Sequence, residues 1–199
     1  MAISKDKIKE YWNERVSRQK ELTVGHSDDR IIHEMEYVDR MIFMETENIF
    51  DTPLRVLDYG CGIGWYAIKF KNYIGVDITP ELLAMAKKRY PKKQFALIES
   101  GDISKLNFDI FFSATVLQHN EDDTVIEIFR NIPDSVSMLY LYENSTEGES
   151  GHVKGRTDLD YLHLLYKAGK KHEWTKAISH VLHGEKHTLS IIQLCHSTK

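Results

Sequence analysis

Two carboxylates and three glycines stand at a spacing suited to holding a nucleoside. Leu54, Val56 and Leu57 form a short apolar run, Asp58 ends it, and Gly60-Cys61-Gly62-Ile63-Gly64 follows. Glycines at such a point let the backbone turn tightly and let a ligand press against bare main chain. A helix starting at about Ile63 would turn its free N–H groups toward the same space. A second run, Tyr73 to Ile78, carries Asp77 near its end. A carboxylate there can accept two hydrogen bonds from ribose hydroxyls. The NAD fingerprint G-x-G-x-x-G does not fit, because counting on from Gly60 and Gly62 reaches Trp65 instead of a third glycine.

The spacing G-x-G-x-G behind an acid resembles motif I of class I S-adenosylmethionine-dependent methyltransferases. Three further segments resemble that family. YWNERV, Tyr11 to Val16, is similar to an N-terminal helix that lies over the cofactor pocket as a lid. Simple packing of Tyr11 and Trp12 on the core is an equally open reading. Gly101-Asp102-Ile103 resembles the family's GD segment. Val116-Leu117-Gln118-His119 resembles the "VLQH" form of small-molecule methyltransferases. The N/D-P-P-Y/F pattern of enzymes that methylate exocyclic or amide nitrogens is missing, which argues against a nucleic-acid base amine as substrate. The resemblance covers nearly all of the chain from Leu54 onward.

The resemblance implies S-adenosylmethionine as cofactor and assigns residues to it. Gly60, Gly62 and Gly64 would form the turn under the methionine portion, and Asp58 would order that turn or the methionine amino group. Asp77, followed by Ile78, would hold the ribose. Asp102 would accept from the adenine amino group while the Ile103 backbone donates. Ala114, Thr115 and Val116 would line the reaction centre, with Tyr11 and Trp12 over the pocket.

On the acceptor side, His119 has the pKa range of a proton acceptor near neutrality, or else orders its loop. His152 and Arg156 lie in the long polar segment 143–156, ENSTEGESGHVKGR. Arg156 either clamps a carboxylate or phosphate through paired hydrogen bonds or is a solvated loop charge. Glu143 is a weaker candidate base. His180, His183 and His187 raise the question of a metal, but they straddle a hairpin turn with no acid at a fixed helical offset. The expectation is exposed polar hairpin residues and no metal. Asp122 and Asp123 suit a helix start better than a magnesium site.

These residues need strands and helices in alternation to position them. Helices are expected over residues 4–21 and from Ser27 to about Glu45, as N-terminal additions forming a lid over 1–52. A core over 53–199 follows. Thr79 and Pro80 open a helix that ends before Pro91. Phe95 to Glu99 reads as a third strand and Phe108 to Leu117 as a fourth strand with its exit, apolar on both faces. Asn120 is placed to cap a helix with Val125, Ile128, Phe129 and Ile132 facing inward. Val136 to Tyr142 is a fifth strand. Thr157 and Asp160 form a capping box for a last helix that Gly169 ends. Two strands near Trp174 to Leu182 and Thr188 to Cys195 turn at Gly184. The expected architecture is α/β: a Rossmann-like, seven-stranded, mostly parallel sheet with a terminal antiparallel hairpin.

The chain of 199 residues suits one domain. Its 26 basic and 30 acidic side chains leave a formal charge of −4, which supplies no general field for nucleic acid. No apolar run suits a membrane span and the N-terminus has no apolar signal core, so a cytoplasmic protein is expected. Cys61 and Cys195 read as reduced thiols. The function expected is methyl transfer to a small-molecule oxygen or nitrogen, with oligomeric state open. Two rivals remain: a protein- or peptide-directed methyltransferase using the acidic stretch 143–149, and a non-catalytic cofactor-binding partner. The bulk of Trp65 and Tyr66 beside the turn favours the second rival slightly.

Overall fold

The computed structural model describes residues 9–14, 42, 49–98, 102–146, 148–150, 153–182 and 184–195. Five strands are parallel: β1 (Arg55–Tyr59), β2 (Asn72–Asp77), β3 (Gln94–Leu97), β4 (Ile110–Ala114) and β5 (Met138–Asn144). A two-residue pair, β6 (Glu149–Ser150) and β7 (Val153–Lys154), stands apart. The chain then forms a long hairpin of β8 (His172–Leu182) and β9 (Glu185–Leu194), with β9 antiparallel to β5. The seven strands of the main sheet lie in the order β3-β2-β1-β4-β5-β9-β8. Strand order reverses between β1 and β4, and ligands of open α/β sheets bind beyond the strand C-termini at such a point.

Consecutive apolar residues serve opposite faces because strand side chains alternate. Leu57, Phe111, Leu139 and Ile192 pack under α2 (Asp122–Arg130) and α3 (Asp158–Lys167) through Val125, Ile128, Phe129, Tyr161 and Leu165. Val56, Phe112, Tyr140 and Ile191 face the other way, onto Ile42, Phe50, Tyr66, Phe70 and Leu83. Leu83 belongs to α1 (Pro80–Arg89). Covering both faces explains why β1 and β4 read as unbroken apolar runs.

Several local expectations change. The turn after β1 leads to a single 3-10 turn, Trp65–Ile68, rather than a helix from Ile63. Only residues 65–71 separate Gly64 from β2, and Phe70 must already be buried within that span. Thr79 precedes α1 without a side-chain cap, and Asp77 takes its N–H instead. Asn120 does not cap α2, whose first flanking residue is Glu121; the Asn120 amide donates back to the Val116 carbonyl at 2.8 Å. The box of Thr157 and Asp160 on α3 is present in both directions, and Gly169 follows that helix at φ +79°. Of the expected N-terminal helices, only 9–14 and residue 42 fall among the described residues, and both are helical. No helix of the described residues is long and apolar enough to cross a membrane.

Candidate active site

The glycine turn is hooked onto β2 before any ligand is considered. The N–H groups of Gly60 and Cys61 both donate to the Val76 carbonyl, at 2.8 and 2.9 Å. Gly62 N–H donates to Asp77 Oδ2 at 2.8 Å, and Thr79 N–H donates to Asp77 Oδ1 at 2.8 Å. Each Asp77 oxygen therefore keeps a lone pair after ordering the backbone around it. Gly60 sits at φ +74°. A Cβ there would stand 2.4 Å from a Val116 methyl, so the turn's bare backbone is filled first by the chain crossing the sheet from β4.

Asp58 and Asp77 are both buried, at 2% and 7% exposure. Burial pushes the Asp58 carboxyl up to about 7, against a hydrogen bond from the Tyr73 hydroxyl at 2.7 Å and with a further push from the Asp77 charge. Burial also raises the Asp77 carboxyl, opposed chiefly by the Thr79 and Gly62 N–H groups. Two acids crowded into one dry site favour a cationic ligand, whose charge would let both ionise.

The exit of β4 is held from both ends. Glu143, 1% exposed at the end of β5, accepts the Ser113 hydroxyl at 2.7 Å. The same carboxylate accepts the N–H groups of Val116, Leu117 and Gln118 at 3.1–3.2 Å. Glu143 thus anchors a turn and is not a base facing the site. Burial raises its pKa, and these donors oppose the rise. At the other end Arg156, 3% exposed, donates to the Leu117 carbonyl at 2.9 Å and to the Asn120 carbonyl at 2.5 Å. It also pairs with Asp122 at 2.8 Å. Between Ser113 and Val116, both held by Glu143, Thr115 adopts φ +58°, a conformation that is strained for a β-branched residue.

A cavity of about 280 Å³ opens over these elements. It brings together Asp58, Gly60, Gly62, Asp77 and Ile78 on the glycine side with Ala114, Thr115, Val116 and His119 on the β4 side. Trp12 lines it from the N-terminal helical segment, its ring edge-on to His119 at 5.6 Å, and Tyr11 braces Trp12 edge-on at 5.3 Å. Gly64 is not on the cavity wall; its open Cα faces Tyr90 and Phe95. The Ile103 side chain is buried in the core, and Ile98 lines the cavity. The Asp102 side chain and His152 lie outside the described residues, so their expected contacts do too.

Arg156 corrects an expectation. Its guanidinium is neither a solvated loop charge nor aimed at the cavity, because Asp122 and two carbonyls occupy it. Polarity of the surrounding sequence hid this, since the partners come from a distant segment. The histidines of the hairpin also differ from expectation. His187 is buried and His180 half-buried, and both rings stack against Tyr142; His183 lies outside the described residues. Tyr142, Trp65, Tyr66 and Leu82 line the cavity as well. The position of Tyr142 at the ligand end of β5 was the available signal for it.

Residues 57–132 match the family model described as a methyltransferase domain. No curated protein matches the chain in sequence. Among solved structures, magnesium protoporphyrin IX methyltransferase from Synechocystis PCC 6803, with bound S-adenosylhomocysteine, is 16% identical over 95% of this chain and 99% of that one, with TM-score 0.65. A TehB-like methyltransferase from Corynebacterium glutamicum is 19% identical, covering 94% and 99%, with TM-score 0.57. A methyltransferase of the DUF858 family from Leishmania major is 16% identical, covering 96% and 82%, with TM-score 0.69. At these identities the shared property is the fold, and the domain match spans the glycine turn and the β4 exit. Residues 57–132 thus resemble a methyltransferase domain, on a fold shared with S-adenosylmethionine-dependent methyltransferases.

Proposed function

We propose that the chain transfers a methyl group from S-adenosylmethionine to an oxygen or nitrogen of a small molecule. The observation that supports this is a single cavity shared by the glycine turn, two buried carboxylates and the β4 exit. The cofactor fits the donor set. A sulfonium and an ammonium suit the doubly acidic site, and ribose hydroxyls suit the unused Asp77 lone pairs. Bound there, it supplies an activated methyl group.

The protein's part is mainly positioning, since little covalent assistance is needed once the reactants are aligned. Asp77 holds the ribose hydroxyls while keeping Gly62 and Thr79 in place. Asp58 meets the methionine amino group. Asp102 and Ile103 hold adenine. Ala114, Thr115 and Val116 form the floor of the reaction centre, and the strained Thr115 is fixed there by its neighbours. Trp12, braced by Tyr11, closes the site from solvent as part of a lid. His119, beside Trp12, accepts the proton that the acceptor releases.

Calorimetry with S-adenosylmethionine, S-adenosylhomocysteine and NAD, followed by a metabolite screen with labelled methyl groups, tests this. Binding of the first two and not NAD, with label appearing in a small product, is expected. Label appearing only in protein, or in nothing, would overturn it. His119→Ala should lower turnover sharply at unchanged cofactor affinity; unchanged turnover rejects the base role.

A further inference from the structure

We propose that the methyl acceptor is an uncharged aromatic hydroxyl compound, and that Tyr142, backed by His180, recognises its hydroxyl. The inference rests on the methyl-transfer reading above. Within the sheet β5 lies beyond β4, whereas β2 lies on the other side of β1. Tyr142 therefore lines the cavity at the end away from Asp77. Its carbonyl accepts the Thr115 N–H at 2.7 Å, which sets the residue beside the β4 exit.

The Tyr142 ring is fixed on its outer side. It stacks on His180 at 5.6 Å and 14° and on His187 at 5.5 Å and 12°. Its hydroxyl oxygen lies 2.9 Å from His180 Nε2. Burial lowers the pKa of His180, and the neighbouring His187 lowers it further. The neutral imidazole and the Tyr142 hydroxyl share one hydrogen bond at Nε2, whichever of the two supplies the proton. The phenol oxygen keeps further hydrogen-bonding capacity in either arrangement. A ligand hydroxyl, which both donates and accepts, matches it in both.

The rest of the wall has the same preference. Trp12, Trp65 and Tyr66 present rings, and Leu82 and Ile98 present apolar surface. Among the described residues lining the cavity there is no lysine or arginine, and the acids are Asp58 and Asp77. Arg156, which a carboxylate or phosphate acceptor would need, is bound to Asp122 and the Leu117 carbonyl. Flat rings beside a phenolic hydroxyl suit an aromatic body with one hydroxyl.

Intrinsic fluorescence reads the test, because Trp12 and Trp65 line the cavity. The full chain, saturated with S-adenosylhomocysteine, is titrated at neutral pH with p-cresol, toluene and benzoate. p-Cresol should bind about tenfold more tightly than either of the others. Tyr142→Phe should bring p-cresol down to the level of toluene, with S-adenosylhomocysteine affinity kept within about twofold. His180→Ala should weaken p-cresol, and His180→Gln should restore part of the loss by offering an amide that can donate or accept there. Benzoate binding as tightly as p-cresol, equal p-cresol binding by the wild type and Tyr142→Phe, or no p-cresol binding to the loaded chain would each overturn the proposal. Failure of S-adenosylhomocysteine itself to bind would instead overturn the methyl-transfer reading, so the two failures are distinct.

Discussion

Glu143 and Arg156 grip the same turn, the one that carries His119, from its N–H side and its carbonyl side. The carboxylate takes the N–H groups of Leu117 and Gln118, and the guanidinium takes the carbonyls of Leu117 and Asn120. Both side chains are buried, so each is costly to leave without its partner groups. Glu143→Gln replaces an acceptor oxygen with a donor facing backbone N–H groups. It should cost about 2 kcal/mol in denaturant unfolding. Arg156→Lys should cost a similar amount, since an ammonium cannot span Asp122 and two carbonyls with a planar fork. Midpoints unchanged by either substitution would show that the turn holds without them.

Asp77 divides its carboxylate between the backbone and the proposed ribose contact. Asp77→Ala should weaken S-adenosylmethionine by about a hundredfold or more, roughly the worth of two charge-assisted hydrogen bonds. Asp77→Asn should lose less, because its oxygen still accepts one backbone N–H. Calorimetry separates the two variants. An alanine variant with wild-type affinity would remove Asp77 from the ribose site.

Gly60 is required for two separable reasons. A side chain there meets Val116, and φ +74° is unfavourable for any residue with a Cβ. Gly60→Ala should destabilise the fold by about 2–4 kcal/mol, the sum of overpacking and backbone strain. Adding Val116→Ala removes the two methyl contacts and leaves the Cβ contact at 2.9 Å, so it should relieve most of the collision and leave mainly the strain of about 1–2 kcal/mol. Unfolding midpoints of the single and double variants measure both parts, and a double variant no better than Gly60→Ala would rule out the collision.

Asp58 makes stability depend on pH. In the unfolded chain its pKa is near the ordinary value of about 3.9, and in the fold it is about 7. Between these values the folded chain holds the extra proton, so its contribution to stability is full below about pH 4 and is lost as pH rises through about 7. Burial raises Asp77 and Glu143 in the same direction. Without cofactor, the protein should unfold at lower urea at pH about 8 than at about 5. Asp58→Asn should flatten that difference. An Asn variant with the full wild-type slope would place the titration elsewhere.

The sequence alone determined the sheet and the glycine turn beside Asp77, because both depend on signals within a few residues. Double-faced apolar runs marked β1 and β4, the acid and glycines marked the turn between β1 and β2, and Asp77 marked the end of β2. Where reach across the fold decides, local reading stopped short. Val116 comes from a strand far along the chain, yet it is what forbids a side chain at Gly60. Arg156 read as a substrate clamp or a loop charge because its partners lie 34–39 residues away. Tyr142 read as one aromatic in an apolar strand until the hairpin returned His180 and His187 to its ring. Tertiary structure decided which polar groups face the cavity and which are spent holding the backbone, since hydrogen-bond partners are chosen by distance in space.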